Sequence, residues 1–134
     1  MAQFTLNTAT PVAVGSAIPY TDNPVPGGCS IRHRKGSGTV KIKGGIPCKP
    51  IKYIVNFHGN VTGVTGTVEL GIFLDGELLP ETVMYVVEAA PANVLSVDSS
   101  TEILADCSCQ TISVRNIAGT GLTVNTASLI VERG

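Results

Sequence analysis

The sequence contains no tryptophan and few aromatic or charged residues. Aromatic residues make up 4% of the 134 residues and charged residues 14%, whereas hydrophobic residues make up 43%. A chain with this much apolar and this little charged character folds, and its length suffices to bury about two thirds of the surface that the unfolded chain exposes. We therefore expect one domain over residues 1–134, with a core of Val, Ile, Leu and Ala and with residues 1–10 as a candidate anchoring arm.

Long apolar runs are also missing, and the net charge is close to zero. Nowhere do about 18 apolar residues follow one another, and no basic segment precedes an apolar run in residues 1–20. We expect neither a membrane partner nor an export signal. The formal net charge of −1 gives no overall attraction to nucleic acid, so no nucleic-acid partner is expected either.

Turn-forming residues interrupt the whole chain. Fifteen Gly and eight Pro are spread along it, which leaves no room for long helices. Between them apolar residues alternate with polar ones. Tyr53, Val55 and Phe57 share one face of such a segment, while Asn56 and His58 share the other. This period of two predicts strands with one buried face.

A hairpin is predicted over "VELGIFLDGELLP", residues 68–80. Val68, Leu70, Ile72 and Leu74 fall on one face, and the pair Asp75-Gly76 tolerates the positive φ of a tight turn. A helix is the rival interpretation for the Glu- and Ala-rich part after this turn, but the β-branched stretch "TVMYVV" favours a strand. The Pro/Gly-rich "TDNPVPGG", residues 21–28, is interpreted as a loop.

Similar segments elsewhere bring the expected number of strands to about eight to ten. They are "TPVAVGSAI", "GTVKIKG", "TVMYVVEA", "ANVLSV", "TEILADCSCQ", "TISVRNIAG" and "LTVNTASLIVER". So many short strands with a polar outer face require two packed sheets. The fold class predicted is all-β, a two-sheet antiparallel β-sandwich.

Three segments together resemble the tumour necrosis factor-like jelly rolls, the superfamily that includes complement globular heads and knobs of bacterial collagen-like and phage structural proteins. They are "YIVNFHGNVTG", "VELGIFLDGELLP" and "TISVRNIAGTGLTVNTASLIVERG", and the resemblance covers roughly residues 40–133. It implies a ten-stranded jelly roll that assembles as a homotrimer, with one sheet of each subunit turned toward the three-fold axis. It also implies an interaction module rather than an enzyme.

The resemblance directs attention to Phe73 and to the protein's setting. Phe73 points away from the apolar face of its strand and is expected to be exposed in a monomer, so it is the candidate subunit contact. With no export signal and no Gly-X-Y stalk, we expect a phage virion component assembled in the host cytoplasm: a capsid decoration protein, head fibre or tail-associated knob. The alternative is a carbohydrate- or receptor-binding knob of a bacterial surface protein, with a surface glycan as its partner.

Charge is polarised along the chain. Seven of the nine basic residues lie between positions 32 and 52, whereas eight of the ten acidic residues lie between 69 and 106. Arg32, Arg34, Lys35, Lys41 and Lys43 form the candidate docking surface for an acidic partner such as a capsid or other virion protein. The competing interpretation is a solvated edge strand, on which such charges block unwanted pairing.

Metal and catalytic sites have weak support in the sequence. Cys29, Cys48, Cys107 and Cys109 are expected to be free thiols, and the single close pair "CSC" is too little for a zinc signature. His33 and His58 have no nucleophile at a recognisable spacing. We therefore expect no cofactor, no metal and no enzymatic activity.

Overall fold

The fold is described from a computed structural model of the chain. It describes residues 2–26, 30–43, 51–63, 67–87, 94–105, 110–118 and 121–133. All four cysteines and Lys49 lie outside these ranges, so the thiol and zinc hypotheses are not addressed by the structure. Within these ranges no helix is long and apolar enough to cross a membrane.

Two antiparallel sheets contain the twelve strands of the described residues. The first sheet comprises β1 (Ala2–Leu6), β2 (Thr10–Val12), β3 (Asp22–Val25), β6 (Ile51–Gly63), β10 (Leu95–Ala105) and β12 (Leu122–Arg133). The second comprises β4 (Ile31–His33), β5 (Val40–Ile42), β7 (Thr67–Leu74), β8 (Glu77–Leu78), β9 (Met84–Val87) and β11 (Gln110–Asn116). A 3₁₀ turn, Pro80–Thr82, connects β8 to β9.

Neighbouring strands are mostly distant in the sequence. The first sheet has the order β10-β6-β12-β1-β3, with β2 also beside β12, and the second has the order β4-β5-β11-β7-β8, with β9 also beside β7. The chain therefore crosses repeatedly between sheets, as in a jelly roll. The predicted all-β sandwich with jelly-roll topology is confirmed.

The core lies between the sheets and is largely aliphatic, as predicted. Tyr53, Val55 and Phe57 are buried while Lys52 and His58 on the other face are exposed, so the alternation in β6 is confirmed. The largest fully buried side chains are Tyr20, Tyr53, Phe4, Phe57, Leu6, Ile18, Ile42, Leu70, Ile72, Ile112, Leu122 and Leu129. Four of the six aromatic side chains are thus buried in the core, and two, Phe73 and Tyr85, lie elsewhere.

The predicted hairpin is confirmed. Leu74 pairs with Glu77, which leaves Asp75 and Gly76 as the two turn residues, with φ values of 52° and 83°. Positive φ at both positions is what a type I′ turn requires. The Asp75 carboxylate accepts hydrogen bonds from the Thr111 backbone N–H (2.8 Å) and from Gln110 Nε2 (3.2 Å), which ties the turn to β11.

Three local predictions are wrong. The "LSV" of "ANVLSV" and the start of "TEILADCSCQ" lie in one strand, β10, because all eleven residues from Leu95 to Ala105 pair with β6. Residues 22–25 are a strand, β3, rather than a loop; Pro24 is accommodated because β3 is at the edge of its sheet. The strand count also exceeds the eight to ten expected, since several strands have only two to four residues.

Candidate binding surfaces

The predicted docking residues surround a cavity at one end of the second sheet. Arg32 on β4 and Lys41 on β5 are directly opposite each other in the register. The cavity has a volume of about 470 Å³ and is lined by Arg32, His33, Arg34, Ser37, Thr39 and Lys41. We call this set the basic pocket. Lys35 and Lys43 are exposed close by but do not line it.

Hydrogen bonds fix the loop that forms the floor of the basic pocket. The Ser37 N–H donates to the Arg34 carbonyl (3.0 Å), and Gly36 has a φ of 86° at this turn. His33 Nε2 lies 2.8 Å from the Ser37 carbonyl oxygen, and His33 Nδ1 lies 2.6 Å from Asn23 Oδ1 on β3. The His33 ring also packs against Phe4, with centroids 4.6 Å apart. His33 therefore positions the loop and joins the two sheets.

The basic pocket is electrostatically uncompensated. In the part of the chain that the structure describes, the one ion pair joins Lys52 Nζ to Glu102 Oε1 at 3.6 Å, and no described carboxylate lies within 4 Å of Arg32, Arg34 or Lys41. β4 is also an edge strand, as the competing interpretation requires. An edge position and a docking role are compatible, so the docking surface stays a prediction.

Phe73 lies on the outer face of the second sheet. It is half-buried rather than exposed because the Arg115 guanidinium lies 5.2 Å from its ring centroid. Arg115 Nε in turn donates to Ser113 Oγ at 3.2 Å. Tyr85, on the same face, has 61% of its surface exposed. The structure thus gives Phe73 one neighbour above its ring, and its role as a subunit contact stays a prediction.

The outer face of the first sheet was not singled out by the sequence. The register aligns Ser100, Asn56, Ile130, Gln3 and Val25 across all five strands of the main path. We call this set the uncharged row. All of its members except Ser100 are half-buried. In the sequence its members Asn56, Ser100 and Ile130 stand at alternate positions of β6, β10 and β12 among charged and polar residues, a pattern that by itself predicts only a solvated face.

Side chains on this face satisfy one another's hydrogen bonds. Asn60 Nδ2 donates to Thr126 Oγ1 (2.8 Å), and Asn60 Oδ1 accepts from Ser96 Oγ (2.7 Å). Gln3 Nε2 donates to Ser128 Oγ at 3.1 Å. Polar groups that already have partners lose less on leaving water than unpaired ones do. These three hydrogen bonds therefore lower the cost of burying the side chains that make them.

A triad-like alignment also occurs on this face. Asp98, His58 and Ser128 are adjacent across β10, β6 and β12, next to a groove of about 330 Å³. No hydrogen bond between these three side chains occurs in the described part of the chain, and Ser128 Oγ accepts from Gln3 instead.

Two fully buried tyrosines near the basic pocket differ in how their hydroxyls are satisfied. Tyr53 Oη donates to the Lys43 carbonyl at 2.6 Å. Tyr20 Oη has no hydrogen-bond partner among the described residues. Burial raises the pKa of the Tyr20 hydroxyl well above its ordinary value, so this group stays neutral.

The two tyrosines predict opposite effects of removing a hydroxyl. Tyr20→Phe should stabilise the protein by about 1 kcal/mol because it removes a desolvated, unpaired group, whereas Tyr53→Phe should destabilise it by about 1 kcal/mol because it removes a made hydrogen bond. Urea unfolding of both variants beside the wild type measures this. A loss of stability in Tyr20→Phe would show that its hydroxyl has a partner.

Comparison with known proteins identifies the fold. The sequence matches no protein-family model and no curated protein. Among solved structures, the globular domain of zebrafish complement 1qA protein is similar, with a TM-score of 0.71 at 12% identity over 96% of this chain and 94% of that chain. Eiger TNF from S. frugiperda has a TM-score of 0.71 at 15% identity, covering 98% and 90%. Murine APRIL has a TM-score of 0.63 at 12% identity, covering 98% of each chain. The chain therefore has the jelly-roll fold of the tumour necrosis factor and complement globular-head proteins.

Proposed function

We propose that this chain is a non-enzymatic attachment head that assembles as a homotrimer through the outer face of its first sheet. The observation that carries the proposal is the uncharged row, which crosses all five strands of the main path with its central members half-buried. Charged residues of this face lie in the rows on either side of it, Glu102 and Glu132 in one, Asp98 and Asp22 in the other. A charge-depleted centre with a charged rim is typical of protein interfaces.

The size of this face suits a stable assembly. Five strands about 4.8 Å apart and about eight residues long give a face of roughly 650 Å², close to the roughly 800 Å² that each partner contributes to a standard interface. Ile54 and Ile130 supply half-buried apolar side chains near its centre, and Leu104, 62% exposed, supplies one near its end.

Phe73 defines the rival interface. It lies on the second sheet, whereas the uncharged row lies on the first. The Arg115 guanidinium over its ring keeps Phe73 partly covered without a partner subunit. The uncharged row is half-buried as well, but it extends across five strands, and this greater extent favours the first sheet.

Charge-introducing variants on the two sheets test the interface. Native mass spectrometry should give the mass of three chains for the wild type and of one chain for Ile130→Glu, because an unpaired carboxylate in the contact should weaken assembly by roughly a hundredfold or more. Tyr85→Glu, the matched change on the second sheet, should remain trimeric. A monomeric wild type would refute the trimer, and dissociation by Phe73→Ser alone would move the interface to the second sheet.

The partner we propose is a virion shell, with the chain as a capsid decoration protein, head fibre or tail-associated knob. The uncompensated cations of the basic pocket support docking onto an acidic surface. Density-gradient fractionation of lysates from cells that produce the chain with its own virus should place it with intact particles. Recovery only in the soluble fractions would contradict this assignment.

A glycan-binding knob of a bacterial surface protein is the second candidate. The groove on the first sheet is lined by Asn56, Asp98, Ser100 and Ser128, whose amide, carboxylate and hydroxyl groups suit sugar hydroxyls. A trimer built on this face would close the groove, so the two proposals exclude each other. Binding on a glycan array that Asn56→Ala abolishes, together with a monomeric mass, would select the knob.

A further inference from the structure

We infer that the basic pocket is a specific binding site for a tetrahedral oxyanion, a phosphate or sulfate group carried on a larger molecule. The inference deepens the proposed attachment function and rests on it for biological meaning. It concerns a different sheet from the proposed trimer contact, so the two can be tested separately. It narrows the predicted docking surface from five cations to three: Arg32, Arg34 and Lys41.

The first argument is the repulsion between Arg32 and Lys41. They are directly opposite on adjacent antiparallel strands, where like charges destabilise a sheet. Neither has a described carboxylate within 4 Å. The Asp75 carboxylate, next to the Thr111 that pairs with Lys41, is already bonded to the Thr111 N–H and to Gln110. An anion bound between the two cations would replace this repulsion with two attractions.

The second argument is the rigidity of the surrounding backbone. Gly36 N–H donates to the Tyr20 carbonyl at 2.7 Å, and the Ser37 carbonyl oxygen lies 2.8 Å from His33 Nε2. Gly38 approaches Ala17 so closely that a Cβ at Gly38 would lie 2.6 Å from the Ala17 Cβ. The loop between β4 and β5 is thus held before any ligand arrives, which reduces the entropy lost on binding.

The third argument is the chemistry and size of the cavity. Ser37 Oγ accepts from the Thr39 N–H (3.1 Å), lies 3.1 Å from Thr39 Oγ1 and lies 3.5 Å from the Thr39 carbonyl oxygen, so the cavity wall here consists of two hydroxyl groups held next to each other. Two guanidinium groups provide planar donor pairs that suit phosphate and sulfate oxygens. A volume of about 470 Å³ holds about fifteen waters. This exceeds the space that one tetrahedral anion needs, so the cavity has room for part of the molecule that carries the group.

Titration with inorganic anions tests the site. The melting temperature of the full chain is followed by circular dichroism in low-millimolar sodium phosphate or sodium sulfate, against sodium chloride of equal ionic strength. At these concentrations general salting effects are small. We expect phosphate or sulfate to raise the wild-type melting temperature saturably, and the stronger of the two identifies the ester that the site recognises. An equal response to sulfate, phosphate and chloride would overturn the inference, as would equally tight binding of the carboxylate succinate.

Matched variants locate the effect. Arg32→Gln and Lys41→Gln should each weaken anion binding roughly tenfold or more. Lys35→Gln and Lys43→Gln neutralise cations outside the cavity, so their anion affinity should stay within about twofold of the wild-type affinity. In chloride alone, Arg32→Gln should be at least as stable as the wild type, because it removes the repulsion with Lys41. Equal losses in all four variants would show a diffuse basic surface and overturn the site.

Native mass spectrometry of the same proteins separates this failure from failure of the proposed trimer. If Arg32→Gln or Lys41→Gln dissociates a trimeric wild type, these cations contact a neighbouring subunit and the oxyanion site is wrong. If the variants keep the wild-type mass and lose the saturable anion effect, the site is supported whatever that mass is. A monomeric wild type that binds sulfate refutes the trimer alone.

Discussion

A chain that lacks residues 1–10 is expected not to fold. Residues 2–6 form β1, which lies between β12 and β3 in the first sheet, and its Ala2, Phe4 and Leu6 side chains are buried. Loss of a buried Phe and a buried Leu costs about 5–10 kcal/mol together, by the measured range for such truncations. This is comparable to the whole stability of a typical domain. The deletion also exposes the edge of β12.

Circular dichroism and proton NMR of the shortened chain give the test. We expect loss of the strand signal and of dispersed amide resonances, or recovery only as aggregate. Gln3→Ala, which changes the outer face of the same strand, is the control and should fold. A shortened chain that unfolds cooperatively near the wild-type temperature would contradict the placement of β1.

The same strand limits how an anchoring arm can be tested. Within residues 1–10, Asn7, Thr8 and Ala9 are exposed and lie outside β1 and β2. An anchoring role for residues 1–10 stays a prediction, and substitution of these three residues tests it without removing core. Loss of particle attachment by the substituted but folded chain would support the arm, and retained attachment would move the anchor to the basic pocket.

Local alternation in the sequence was sufficient to predict β6 and the β7–β8 hairpin. In β6 the buried set Tyr53, Val55, Phe57 is visible directly, because side chains in a strand alternate between faces. In the hairpin the turn pair Asp75-Gly76 also fixes the register. Both signals involve residues close together in the chain.

Non-local pairing explains what the sequence did not reveal. Residues 2–6 have alternating apolar residues, but their position in the core depends on β12, in which Phe4 pairs with Leu129. β3 contains Pro24 and is a strand only because an edge position leaves the proline nitrogen without a required partner. Neither fact can be derived from a window of neighbouring residues.

The candidate sites also combine a part that the sequence predicts with a part that depends on strand pairing. The density of cations at 32–43 predicted a basic surface, but only the pairing of β4 with β5 selects Arg32, Arg34 and Lys41 for the cavity and leaves Lys35 and Lys43 outside. The uncharged row has one member on each of five strands, so no single segment contains it. One of its members, Gln3, donates a cross-strand hydrogen bond to Ser128 Oγ, a contact that composition does not show.

Thr82→Val is expected to destabilise the protein by about 2 kcal/mol, although the two side chains have nearly the same shape. β7 pairs with β9 up to Leu70 and with β8 from Phe73, so Ile72 lies where β7 changes partner. There the Ile72 N–H donates to Thr82 Oγ1 at 3.0 Å, and the Thr82 hydroxyl donates to the Leu79 carbonyl at 2.6 Å. Both Ile72 and Thr82 are fully buried. Valine leaves the Ile72 N–H without an acceptor, and an unpaired buried donor costs about 1–3 kcal/mol.

Hydrogen exchange at Ile72 separates this cause from a general loss of packing. In Thr82→Val the Ile72 amide should exchange markedly faster relative to the amides of β6 and β12. In Thr82→Ser, which keeps the hydroxyl, the Ile72 amide should stay protected although the side chain has lost a methyl group. The Leu79 carbonyl also accepts from the Thr82 N–H at 3.0 Å, so it keeps a partner in both variants. If Thr82→Val has wild-type stability and a protected Ile72 amide, the side chain does not bridge the change of partner, and another group must satisfy that N–H.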